Sequence, residues 1–131
     1  MKRFGFFPLI LILILTPFFF MGCAKTTVVD GVELSNVKIV VKKYKDSNYN
    51  DYRIVDYSCD VKNTTDKSLE FTVVYSYRGG SLLNPSTSSH NKVIQLSSGE
   101  SISLWYKTDK IYGGILDEKK IQIKDVKEVQ I

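Results

Sequence analysis

From Val32 onward, apolar residues recur at every second position, and no stretch carries an apolar stripe at helical spacing. Period-two alternation is the signature of strands with one buried and one solvated face. A first long strand is expected over residues 32–44, with Val37, Ile39 and Val41 on one face against Lys38 and Lys42 on the other. Residues 45–52 are polar and predict a loop. Val55, Tyr57, Cys59 and Val61 then alternate with Asp56, Ser58, Asp60 and Lys62. After the turn-forming stretch 63–68, Leu69, Phe71, Val73, Tyr75 and Tyr77 alternate in the same way until Gly79-Gly80. Two such strands around a short polar turn predict an antiparallel hairpin at the centre of a sheet. Residues 81–91, with Asn84-Pro85 and a serine-rich tip, predict a loop. A short strand over 92–96, a turn at 97–100 and a strand over 101–107 follow, the last with Ile102, Leu104 and Tyr106 on one face and Trp105 on the other. Residues 111–116 predict a short strand broken by Gly113-Gly114. In the last strand Ile121 and Ile123 share a face, while Val126 is out of step with Val129 and Ile131, which a bulge near Asp125 would reconcile. The expected fold is all-β: one antiparallel sandwich of about seven strands over 32–131, of the immunoglobulin-like kind.

The first 22 residues follow a different rule. Lys2 and Arg3 precede an uncharged run from Phe4 to Met21, and Phe20-Met21-Gly22-Cys23 closes it. A basic start, an apolar middle and a small residue before the cut describe an export signal. The closing tetrapeptide resembles the lipobox of bacterial lipoproteins. That resemblance implies cleavage after Gly22, lipidation of Cys23, and a bacterial membrane as the protein's first partner. Residues 23–31 are then the lipidated cysteine and a short tether. Eight extended residues span at most about 29 Å, which holds the domain near its membrane. An uncleaved transmembrane anchor is the alternative, since 18 uncharged residues in a helix reach about 27 Å. Pro8 and Pro17 and the exit cysteine weigh against it. Both readings place the domain outside the cytoplasm, in the cell envelope; neither separates inner from outer membrane.

Removing the leader changes the charge. It holds two of the 18 basic residues and none of the 14 acidic ones, so the remaining 109 residues carry +2. That is too little to imply a nucleic-acid partner. With Cys23 acylated, Cys59 is alone and forms no internal disulfide; it falls on the inward phase of its strand and is expected to be buried and inert.

Residues 57–77 are similar to bacterial immunoglobulin-like modules, the FxLYD family being the nearest. The resemblance rests on Val61-Lys62-Asn63-Thr64 and Leu96-Ser97-Ser98-Gly99-Glu100, with Tyr75-Ser76-Tyr77-Arg78-Gly79-Gly80 where the family has its aromatic-leucine-tyrosine-aspartate stretch. It spans roughly residues 53–107 and implies a scaffold and recognition module without catalysis.

Candidate chemistry is sparse. Asp46, Asn48, Asn50 and Asp51 place oxygens as the front of a calcium loop does, but Asp51 stands where the turn glycine belongs and Tyr57 where the bidentate glutamate belongs. A calcium- or small-ligand-binding loop from Lys45 to Tyr52 is therefore the second reading, and no cofactor or metal is expected. The same loop brings Tyr44, Tyr49 and Tyr52 among Asn, Asp and Ser, a composition that suits recognition surfaces. Trp105, opposite the core phase, joins them as a candidate binding residue. His90 lies beside Ser86, Ser88 and Ser89, but without a strained nucleophile turn or a second histidine it supports neither a hydrolase nor a zinc site. The sequence thus predicts a non-catalytic envelope lipoprotein that binds a protein partner or serves an envelope assembly.

Overall fold

A computed structural model describes residues 26–130; the export signal, the lipobox-like residues through Cys23 and the alternative membrane anchor all lie outside it, as does Ile131. All regular structure described is strand: β1 (Thr27–Val29), β2 (Val32–Lys45), β3 (Asp51–Asn63), β4 (Leu69–Gly80), β5 (Pro85–Leu96), β6 (Ser101–Lys107), β7 (Ile111–Tyr112) and β8 (Ile115–Glu128). They form two antiparallel sheets, β1-β2-β3-β6 with β7 also on β3, and β5-β4-β8. The inward residues of both sheets, among them Val55, Tyr57 and Val61 from one and Phe71, Val73 and Leu96 from the other, make a single core. The molecule is a β-sandwich, as the alternation predicts.

Several local expectations are corrected. β3 and β4 do not pair as a hairpin; they lie in different sheets, and the chain crosses between layers at residues 64–68. Asn63 explains the crossing. Its side chain is fully buried, and its Nδ2 donates to the carbonyls of Lys67 (2.6 Å) and Leu96 (3.1 Å). Its Oδ1 accepts from the backbone N–H and the hydroxyl of Thr65 (2.9 and 2.7 Å). Its own backbone bonds Gly99 and Glu100. The side chain therefore bends the chain into an arch and ties it to the end of β5 in the opposite layer, while the backbone of Asn63 holds the 97–100 turn.

The stretch 81–91 is not a loop beyond Asn84. β5 pairs with β4 without interruption from Gly80↔Pro85 to Leu69↔Leu96. Its residues 85–93 are exposed, because this end of the strand runs past the core. The stretch expected as a tether contains β1, hydrogen-bonded to β2. The polar loop shrinks to residues 46–50, since β2 and β3 pair out to Lys45↔Asp51. In β2 a register shift between Ser35 and Lys38 leaves Val37 exposed rather than in phase with Ile39 and Val41.

Other expectations hold. Asp125 has φ 56, and the β4–β8 register slips by one residue there, so Asp125 and Val126 together face Phe71. A second slip at Glu118 (φ 48) faces Tyr77. Gly113 and Gly114, both at positive φ, separate β7 from β8; a side chain on Gly114 would meet the carbonyl of Gly80. Residues 111–116 therefore turn a corner between the sheets, and the last strand is one continuous element from Ile115.

Candidate binding face

The candidate residues are positioned by the outer face of the first sheet. In β3 the even positions Tyr52, Ile54, Asp56 and Ser58 point away from the core, because Arg53, Val55, Tyr57 and Cys59 take the inward phase. Tyr44 lies opposite Tyr52 in register, and Tyr52 opposite Tyr112 of β7. The three rings form a cross-strand ladder, with centroids 5.4 Å apart for Tyr44–Tyr52 and 5.6 Å for Tyr52–Tyr112. Lys110 caps it, its Nζ 5.1 Å from the Tyr52 centroid. Cross-strand aromatic pairs of this kind contribute about 0.5–1.5 kcal/mol each beyond their buried area, so the ladder holds rings rigid at the surface at no further ordering cost.

Trp105 of β6 is registered to Ser58 and so shares that outer face. It is 74 % exposed. Six residues of strand separate Ser58 from Tyr52, about 20 Å. Between them lie Val40, Ile54 and the Lys42–Asp56 ion pair at 3.0 Å. The Asp56 contact raises the pKa of Lys42, chiefly by hydrogen bonding. The face thus carries aromatic rings at both ends and a mixed apolar and charged strip between.

Of the residues singled out from the sequence, the structure brings Tyr44, Tyr52 and Trp105 onto one face. Tyr49 does not join them; it stands alone at the tip of the 46–50 turn, 81 % exposed, with φ 62. Tyr112 and Lys110 belong to the ladder but carry no sequence signal, since a two-residue strand has no period.

The calcium-like loop is occupied by its own hydrogen bonds. Asp46 Oδ1 accepts the N–H groups of Asn48 and Asn50, each at 2.9 Å, and Oδ2 accepts the Tyr112 hydroxyl at 3.1 Å. These bonds, that from Asn50 foremost, lower the Asp46 pKa. Among the described residues no three His, Cys, Asp or Glu side chains converge as metal ligands. Cys59 is buried as expected, and burial pushes its thiol up to about 11. His90 lines one cleft with Ser88, Ser89 and Asp109, and its ring stacks on Tyr106 with centroids 4.2 Å apart. Asn63, within a glycosylation-like triplet, is too buried and too fully bonded for modification in the folded domain.

Comparison with known proteins returns no match among family models, curated proteins or solved structures.

Proposed function

We propose that the protein is a bacterial cell-envelope lipoprotein, anchored through lipidated Cys23, whose non-catalytic β-sandwich binds an envelope protein partner through the outer face of its first sheet. The observation that carries the binding role is the sharing of one face by exposed Trp105 and the Tyr44–Tyr52–Tyr112 ladder. Large, rigid aromatic side chains with a charged strip between them have the composition of recognition hot spots, where Trp, Tyr and Arg dominate. A monomeric surface gains nothing from leaving such rings in water. The lipobox-like Phe20-Met21-Gly22-Cys23 supports the address, since a thiolate is the nucleophile that accepts a diacylglyceryl group, and two or more acyl chains give stable anchoring.

Site-specific photo-crosslinking in cells tests the face. A crosslinking amino acid at Trp105 or Tyr52 is expected to trap one discrete protein product, while the same group at Thr72 or Gln95, on the outer face of the other sheet, traps none. Equal labelling from both sheets, or none from the first, refutes the assignment. The anchor is tested separately: Cys23→Ser is expected to abolish incorporation of radiolabelled fatty acid and to accumulate precursor.

A further inference from the structure

On the side where the edge strands β5 and β6 face each other, no backbone pairing joins the two sheets. Side chains close the gap instead. His90 of β5 and Tyr106 of β6 stack with their rings 4.2 Å apart and parallel to within 1°. Tyr75 lies against Tyr106 at 5.2 Å, and Tyr57 is 5.6 Å from Tyr75. Alongside this clasp is a cleft of about 130 Å³, lined by these rings together with Tyr77, Ser88 and residues 108–111. An engineered cavity of roughly 150 Å³ takes a benzene, so this open cleft suits a guest of about six or seven heavy atoms.

Three features fix the chemistry of that guest. Asp109 lines the cleft, and among the described residues no cation pairs with it. The neighbouring Lys110 is turned over Tyr52. Burial first, and Asp109 next, raise the Tyr106 pKa, consistent with a carboxylate close to that hydroxyl. Second, the Tyr75 side chain is 2 % exposed and its hydroxyl has no hydrogen-bond partner. Third, the walls are mainly aromatic rings, whose faces attract positive charge. An anion would meet Asp109, a neutral apolar guest would leave the carboxylate and the Tyr75 hydroxyl uncompensated, and a bare divalent ion would find one carboxylate where it needs several oxygens.

We propose that this cleft binds a small organic ammonium ion, held against the ring of Tyr106 and by the carboxylate of Asp109. The proposal is independent of the protein-binding face, which lies on the outer surface of the first sheet. The test is a choline titration of the full, isotopically labelled chain in neutral maltoside micelles at pH 8, followed by amide chemical shifts. A chloride-matched control and 3,3-dimethylbutanol, the uncharged isostere of choline, are run alongside. Saturable shifts confined to residues around His90, Tyr106 and Asp109 are expected, with affinity in the millimolar range. The isostere and the Asp109→Asn variant are each expected to bind about tenfold more weakly or worse. Tyr106→Leu is expected to abolish binding. Because Asp109 is exposed and outside the core, Asp109→Asn keeps the fold and decides the matter even where Tyr106→Leu does not fold. Non-saturable shifts, an isostere that binds as well as choline, or an unaffected Asp109→Asn variant overturns the proposal.

Discussion

Asn63 shows how much one side chain contributes when each of its polar atoms is used in a dry place. Its amide holds the carbonyls of Lys67 and Leu96, and its oxygen holds Thr65. Asn63→Ala strands these groups, of which those nearest the core have no access to water. We expect a loss of about 2–4 kcal/mol, read as a lower urea midpoint at unchanged slope. The segments around Asn63 and around Gly99-Glu100 meet here through the Asn63 backbone. They are therefore architectural, and their presence in the sequence speaks to the arch rather than to any ligand. Titratable core residues give a second prediction at this scale. Burial raises the Cys59 thiol to about 11, and the Tyr57 and Tyr75 hydroxyls to about 12. In each case the folded state holds its proton to higher pH than the unfolded chain, so stability is level up to about pH 9 and falls as pH rises from there toward 12. Urea midpoints at pH 8, 10 and 11 are expected to decrease in that order.

Among the elements, β5 is where sequence reasoning fails for a physical reason. Period two reveals a strand only when one of its faces is buried, and residues 85–93 are all exposed, with His90 touching the edge of the core through its polar ring alone. What makes them a strand is pairing along β4, which leaves no mark in their hydropathy. Amide exchange tests this directly. Antiparallel pairing on one side protects amides alternately along an edge strand, so slow and fast amides are expected to alternate from Ser86 to Leu96. Uniformly fast exchange would restore the loop. The β3–β4 error has a different origin. The alternation of Val55 to Val61 and of Leu69 to Tyr77 correctly gives their inward faces. It is silent on which strand lies beside which, because a five-residue turn serves a hairpin and an arch equally well. The bulge at Asp125 was legible for the opposite reason: a slip in register shifts the apolar phase, and Val126 records it.

At the scale of the molecule, the sequence marks some members of the candidate face but neither all of them nor its shape. Tyr44, Tyr52 and Trp105 stand out by type and phase; the β2–β3 pairing joins the two tyrosines, whereas Trp105 and Tyr112 reach the face only through the β3–β6 and β3–β7 pairings between distant segments. The cleft is harder still to foresee, since its rings come from four strands, two in each sheet. If the aromatic face exists for a partner, its rim is dispensable to folding. Trp105→Ala is then expected to change the urea midpoint free energy by no more than about 0.5 kcal/mol while removing the crosslinked product obtained from position 52. A large stability loss in that variant would instead make Trp105 part of the scaffold.

The order of strands also governs when the domain comes into being. β4 sits at the middle of its layer, and its neighbour on one side, β8, is the last of the described strands. A nascent chain that has reached only Tyr112 lacks that neighbour, and the apolar residues of β4 have no finished layer to join. The second sheet can therefore close only once β8 has been made, so the layer that β4 centres is completed by contacts between segments far apart in the chain.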